Sequence, residues 1–302
     1  YLVMGGTPSF SGTANITQAN LTLTAIAQSK IYTGTTTVTN AAGFTTSGLM
    51  ANESISAVTL AYTDQNVGAA NRTIAITSAV AGANTSLSNY NITYTNNTAS
   101  TITAANLTLT AVAQSKTYDG GLTVSNGAGF TASGLAANES IASVSLQYTN
   151  KSAGAANKTI TISGAVAGAN TSLSNYNITY TNNSASTITK AAITAITGVS
   201  LNDKIYDGNT SASFDVSNAS FTGMIIGDVL SLSGGTGGFA SKNVGTAIGV
   251  TVSNLTVGGA DAGNYLVMGG TPSFSGTANI TQANLTLTAI AQTKTYDGNT
   301  NV

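Results

Sequence analysis

The chain has 302 residues, no cysteine, histidine or tryptophan, and only 6% charged residues, against roughly a quarter in an ordinary soluble domain. Its formal net charge of −1 removes the electrostatic case for nucleic acid or an anionic membrane surface, and without thiols or imidazoles it has no disulfide staples and few means of nucleophilic catalysis. No apolar run approaches the ~18 residues that span a bilayer, and nothing reads as a signal peptide.

Residues 1–18 read as the end of a preceding repeat, because YLVMGGTPSFSGTANITQANLTLTAIAQS at 1–29 returns at 265–293 with Ser29 changed to Thr293. The chain therefore reads as a window on a longer array. A shorter repeat lies inside it: ANLTLTAIAQSK at 19–30 returns as ANLTLTAVAQSK at 105–116, and VAGANTSLSNYNITYTNN occupies both 80–97 and 166–183. The spacing predicts β repeat 1 over 19–104, β repeat 2 over 105–190, a diverged β repeat 3 over 191–282, and the start of a further repeat over 283–302. Copies of about 90 residues exceed one solenoid coil and suit small domains in tandem.

Within a copy, period-two alternation dominates. LTLTAVA (107–113) begins a strand; in SVSLQYT (143–149) Val144, Leu146 and Tyr148 share a face; in KTITIS (158–163) Ile160 and Ile162 point inward; in YNITYT (176–181) Tyr176, Ile178 and Tyr180 do so. NGAG (126–129), SAGAAN (152–157) and AGANTSLSN (167–175) separate them as turns. The pattern predicts an all-β protein of tandem small antiparallel β-sandwich (Ig-like) domains, six or seven strands each. NITYTNNSASTITKAAITAIT (177–197) passes between copies without a Pro/Gly linker, which predicts an elongated, stiff rod.

A Y-x-G element recurs as Tyr32–Gly34, Tyr118–Asp119–Gly120, Tyr206–Asp207–Gly208 and Tyr296–Asp297–Gly298. A lone carboxylate with no His, Cys or second acid near it is a poor catalytic set. The element reads instead as a turn: Tyr anchored in the core, Asp capping backbone N–H groups, Gly supplying positive φ. Thr33 takes the place of Asp in the first copy and is expected to keep its capping oxygen. About nineteen N-x-S/T triplets occur, among them Asn71, Asn91, Asn157, Asn177 and Asn254; they are possible glycosylation acceptors, although a strand with an uncharged polar face produces such triplets unaided. Lys30, Lys116 and Lys204 precede the turns, and Glu53, Glu139 and Asp228 follow at one relative place. An isopeptide cross-link to Asn175 or Asn177 competes with solvated lysines that blunt an edge strand. Asp203, Asp207, Asp215, Asp228 and Asp261 make the third copy the most acidic, but without the D-x-D-x-D spacing calcium favours, so the expected cofactor is none, with calcium as the alternative. No G-x-S-x-G elbow is present, and no enzyme is expected.

Each copy opens with a strand such as ITAANLTLTA (102–111) or ITKAAITAIT (188–197), continues with K-x-Y-D-G and a GL…NES or GM…GDV segment, and closes with a strand beginning Asn-Tyr, as at Asn175–Tyr176 and Asn264–Tyr265. In this order the chain resembles the YDG and MBG repeat domains of very large bacterial surface adhesins, including filamentous-haemagglutinin-like proteins. The third copy is closest, with KIYDGNTSA, IIGDV and DAGNYL; the first departs at YTG, and the first two carry NES in place of GD. The resemblance implies a secreted, cell-surface, repetitive β-protein for adhesion or matrix building, without catalysis and with no shared ligand site to carry over. Its expected partners are neighbouring repeats and, by lateral pairing, other chains. The alternative is a glycan- or host-protein-binding module.

Overall fold

The structure is a computed structural model and describes residues 11–38, 40, 42–124 and 129–301; positions 1–10 of the first repeat remnant and 126–128 of the NGAG turn lie outside them. Strand accounts for 53% of the chain and helix for 3%, so the protein is all-β. Repeat 1 comprises β1 (Ala19–Ala25), β2 (Ser29–Ile31), β3 (Phe44–Ser47), β4 (Ile55–Tyr62), β5 (Gly68–Ala81), β6 (Tyr90–Thr95) and β7 (Asn97–Thr103). Repeat 2 follows the same plan with β8 (Ala105–Ala111), β9 (Ser115–Thr117), β10 (Phe130–Ser133), β11 (Ile141–Tyr148), β12 (Gly154–Ala167), β13 (Tyr176–Thr181) and β14 (Asn183–Thr189).

Each of these two repeats forms two sheets, ordered β3-β1-β6 and β2-β7-β5-β4 in the first, β10-β8-β13 and β11-β12-β14-β9 in the second. They are mixed rather than antiparallel throughout, which corrects the expectation. β1 runs parallel to β6, with Ala19 opposite Tyr90 and Thr24 opposite Thr95, and β2 runs parallel to β7. The reason is a paired change of sheet. The chain leaves β1 for β2 across residues 26–28 and leaves β6 for β7 at Asn96, so two strands that cross together keep their common direction. Side-chain alternation has the same period in parallel and antiparallel strands and carries no sign of this. Buried serines fix the corners: the Ser100 hydroxyl accepts the Gln28 N–H (3.1 Å) and donates to Asn97 Oδ1 (3.0 Å), and Ser186 serves Gln114 and Asn183 in the same way.

The alternating apolar residues build the cores. Leu21, Leu23 and Ala25, Val58, Leu60 and Tyr62, Ile74 and Ile76, and Ile102 are buried in repeat 1, and Leu107, Leu109, Ile160, Ile162 and Ile188 take the matching places in repeat 2. Each such aliphatic chain contributes about 1.5–3 kcal/mol. Tyr180 departs from the pattern: it is 38% exposed, as is Tyr94, because β6 and β13 are edge strands and the core does not reach their ends. Tyr180 uses its hydroxyl to accept the Ala165 N–H (3.1 Å).

The chain falls into two compact units, one of Tyr1–Val112, Ser125–Leu146 and Thr161–Asn182, the other of Ala113–Val124, Gln147–Ile160 and Asn183–Val302. Neither coincides with a sequence repeat. The first holds repeat 1 and the β10-β8-β13 sheet; the second holds β9, β14 and repeat 3. In repeat 3 the parallel pairings recur, Ala191–Ile193 beside Tyr265–Val267 and Lys204–Ile205 beside Phe274–Thr281, around a core of Phe239, Val250, Ala278 and Ile280. One irregularity is common to all three repeats. Ala70, Ala156 and Ala247 adopt φ of 50°, 51° and 53°, and their N–H groups bond Thr101 Oγ1, Thr187 Oγ1 and Asn279 Oδ1, each at 2.9 Å. In repeats 1 and 2 the bulge follows directly on the segment that meets the neighbouring repeat, at Val67 and Ala153.

Candidate functional site

The Y-D-G turn is organised by lysine. Lys116 Nζ donates to Asp119 Oδ1 (2.7 Å) and to the carbonyls of Gly121 (2.8 Å) and Thr123 (3.3 Å), and lies 5.4 Å from the Tyr148 ring centroid. Asp119 Oδ1 also accepts the Gly121 N–H (2.9 Å). Lys204 repeats this with Asp207, Asn209, Ser211 and the Phe239 ring, and Lys294 with Asp297, Asn299 and Asn301. The lysines are therefore hubs of their own turns, with the Lys116 side chain only 11% exposed, and not solvated edge blockers. The paired ammonium, helped by the backbone N–H, holds the Asp119, Asp207 and Asp297 carboxyls below the usual range. In repeat 1 Lys30 has no carboxylate partner among the described residues: it donates to the carbonyls of Thr35 (2.5 Å) and Thr37 (3.1 Å) and lies 5.4 Å from the Tyr62 ring centroid, and burial lowers its pKa. Thr33 does not take over the capping role; its hydroxyl pairs with that of Thr35 (3.1 Å).

The turn's tyrosine reaches into the next repeat. In the first unit the Tyr32 hydroxyl donates to Glu139 Oε1, and the Tyr176 hydroxyl donates to Glu139 Oε2. The two rings meet edge to face, with centroids 5.4 Å apart at 82°. The Tyr176 oxygen in turn accepts the Ala136 N–H (2.8 Å). Alongside, Asn175 Oδ1 accepts the Val67 N–H (3.0 Å), its Nδ2 donates to Asn66 Oδ1 (2.9 Å), and Asn175 is 1% exposed. Gly34, at φ 72°, completes the fit: a Cβ built on it would lie 3.0 Å from the Ala136 Cβ. Repeat 1 thus offers Tyr32, Gly34 and the Asn66–Val67 segment, and repeat 2 answers with Ala136, Glu139, Asn175 and Tyr176.

The second unit holds a matching lock. Tyr118 (2.8 Å) and Tyr265 (2.6 Å) both donate to Asp228 Oδ2, with ring centroids 5.6 Å apart at 78°. Tyr265 accepts the Ile225 N–H (2.9 Å), Asn264 Oδ1 accepts the Ala153 N–H (2.9 Å), and a Cβ on Gly120 would lie 3.1 Å from Ile225 Cγ2. Asp228 Oδ1 stands 4.0 Å from Lys151 Nζ.

A common turn presents the acid. Met50–Glu53, Ala136–Glu139 and Ile225–Asp228 are each closed by the last N–H on the first carbonyl (3.2, 3.3 and 3.1 Å). The residue before the acid is left-handed, Asn52 (φ 68°), Asn138 (φ 64°) or Gly227 (φ 94°), which is why NES and GDV are interchangeable there. Burial, then the acid, raises the tyrosine pKa values, to about 12 for Tyr176 and Tyr265, so the hydroxyls stay neutral donors.

The anchor expectation is thereby corrected. Tyr32 and Tyr118 are buried at 4% and 2%, but Tyr206 is 39% and Tyr296 92% exposed, because the cover over the ring comes from a following repeat and not from the tyrosine's own core. The remaining singled-out residues stay apart from the locks. Asn71, Asn91, Asn157, Asn177 and Asn254 are all exposed. Asp203 is bonded to Asn279, Asp215 to Ser217 and Asp261 to the Val229 N–H, and among the described residues no three acids gather as a metal set. The Lys116 ammonium is engaged in its own turn and the Asn175 amide in its lock. The locks themselves were not anticipated. Their signal was the return of one acid at one relative place in a chain with so few charges.

Fold and locks define a tandem all-β repeat protein in which side chains of one copy complete the binding set of the next. A family model described as the YDG domain matches 17–99, 103–184 and 189–273, and the chain belongs to that family. No curated protein and no solved structure matches it.

Proposed function

We propose that the chain is a structural stalk or fibre segment of a giant secreted bacterial cell-surface adhesin or extracellular filament, each repeat a small sandwich-like spacer held in register with the next. Its work is mechanical: to hold a distal element away from the cell or to build matrix, with no catalysis. The observation that supports this best is the lock. Two tyrosines, one carboxylate and one asparagine satisfy one another across successive copies, which stiffens a junction that has no Pro/Gly linker. A resemblance to adhesin repeats and a surface of uncharged Thr, Asn and Ser agree with it. Small-angle scattering from the 302-residue chain tests the proposal: an elongated particle of fixed cross-section is expected, and a compact or freely jointed chain would overturn it.

A glycan-binding module is the second reading, favoured by Tyr94 and Tyr180, which expose 38% of their surface at equivalent places of two repeats. A glycan-array screen separates the two: specific binding lost in Tyr94→Ala and Tyr180→Ala would put the binding module first.

A further inference from the structure

Each lock brings two tyrosines together as well as two repeats. Tyr32 meets Tyr176 with ring centroids 5.4 Å apart at 82°, and Tyr118 meets Tyr265 at 5.6 Å and 78°. In each pair both hydroxyls converge on one carboxylate, Glu139 or Asp228, so the phenol edges, and with them the carbons ortho to the oxygens, approach one another. All four rings are buried. Among the described residues no other two tyrosine rings are in contact.

The surroundings of these pairs also suit oxidation. A phenol gives up an electron readily only when its proton leaves with it, because the protonated radical is a very strong acid. Burial and the neighbouring acid keep these phenols protonated, with the pKa values of Tyr176 and Tyr265 raised to about 12. The acceptor for each proton is already in place, as the carboxylate oxygen on which the hydroxyl donates. Contact with the oxidant is not needed, since an electron leaves through packed side chains. Tyr94 and Tyr180 are 38% exposed, yet among the described residues neither touches a second ring or donates to a carboxylate; the Tyr180 hydroxyl bonds the Ala165 N–H.

We propose that the two pairs are oxidative cross-linking sites, at which a one-electron oxidant joins successive repeats by a dityrosine bond, Tyr32 to Tyr176 and Tyr118 to Tyr265. A haem peroxidase turned over by hydrogen peroxide is such an oxidant. Each phenol loses one electron to it and its hydroxyl proton to the carboxylate, which passes protons on to water. The two radicals then couple, ortho carbon to ortho carbon. Each of these carbons gives up its hydrogen, and each oxygen regains one, as the rings become aromatic again. In total the two phenols lose two electrons and two protons, which reduce one hydrogen peroxide to two waters. The steep angle between the rings matches the twisted biaryl that results. The inference rests on the lock geometry and not on the stalk proposal. An elongated chain whose lock tyrosines do not couple would keep the stalk and sink the cross-link; a compact chain that couples them would do the reverse.

Photo-oxidation of the full chain at high dilution tests it, with a ruthenium tris-bipyridyl complex and persulfate as the one-electron oxidant. Peptide mapping by mass spectrometry should find Tyr32 joined to Tyr176 and Tyr118 joined to Tyr265 within single chains, each pair lighter by two hydrogens. Their yield should exceed that of any link made by Tyr94 or Tyr180. Tyr118→Phe should remove the second link and keep the first. Glu139→Gln should lower the yield at Tyr32–Tyr176 severalfold and leave Tyr118–Tyr265 unchanged. In concentrated urea the preference for these two pairs should vanish. Consumption of Tyr94 and Tyr180 with the lock tyrosines untouched would overturn the inference, as would a preference that survives in urea or a Glu139→Gln variant that links like wild type.

Discussion

The two locks perform one task with different acids. Glu139 is long enough to give one oxygen to each tyrosine, whereas the shorter Asp228 gathers both hydroxyls on a single oxygen and leaves the other 4.0 Å from Lys151. Lys151 belongs to the preceding repeat and stands where Gln65 does at the first junction, so the change of acid comes with a cation beside the freed oxygen. At that distance, and with the Lys151 side chain half exposed, the ion pair contributes at most a few tenths of a kcal/mol. Both locks keep the two tyrosines, the buried asparagine and the left-handed glycine. The aspartate of Y-D-G is not among them: it neutralises Lys116 and caps a turn, and the first lock forms with Thr33 in its place.

The largest expected effect sets a buried lock tyrosine against an exposed one. Tyr118→Ala should destabilise the chain by about 3–5 kcal/mol in urea unfolding, as loss of a buried aromatic does, while Tyr206→Ala should cost under ~1 kcal/mol. Equal losses would mean that the ring serves only its own repeat. Glu139→Gln should cost about 1–3 kcal/mol, since both tyrosyl hydroxyls lose the charge and one of them faces an amide NH2 that cannot accept its proton. Glu139→Asp should cost less, because Asp228 already holds two hydroxyls on one oxygen.

Alkali should loosen both junctions together. The lock tyrosines titrate above their unfolded value near 10, with Tyr176 and Tyr265 raised to about 12. Their contribution is complete below pH 10 and is lost as pH rises toward 12, because the unfolded chain releases these protons first. Melting temperature should therefore fall steeply across pH 10–12, and less so in a Tyr118→Phe, Tyr265→Phe variant, in which only the first lock still titrates. Glycine substitutions separate backbone strain from fit. Alanine at Gly34 meets both a positive φ and the Ala136 Cβ, at Gly208 only the φ, so Gly34→Ala should cost about 1–2 kcal/mol more in thermal unfolding. The smallest effect is Thr33→Asp, which gives Lys30 the counter-charge it lacks and should stabilise by about 0.5 kcal/mol at neutral pH.

Much of the fold was legible because period-two alternation reports burial directly: Val144 and Tyr148, Ile160 and Ile162 fall inward as their spacing requires. Alternation does not report strand direction, so the parallel pairing of β1 with β6 was hidden. Nor does it report where a sheet runs out, hence Tyr180. The Y-D-G turn was legible as a local element because Asp119 and Gly121 are two residues apart. The lock was not: Tyr32 and Glu139 are 107 residues apart, more than one repeat, and a motif read within its own copy assigns the tyrosine to the wrong core.

A double-mutant cycle between Tyr118→Phe and Asp228→Ala tests the central claim most directly, since the two residues lie in successive repeats and meet only through the lock. If the lock joins the repeats, urea unfolding of the full chain should give a coupling energy of about 1–3 kcal/mol. Additive losses, with coupling near zero, would contradict it.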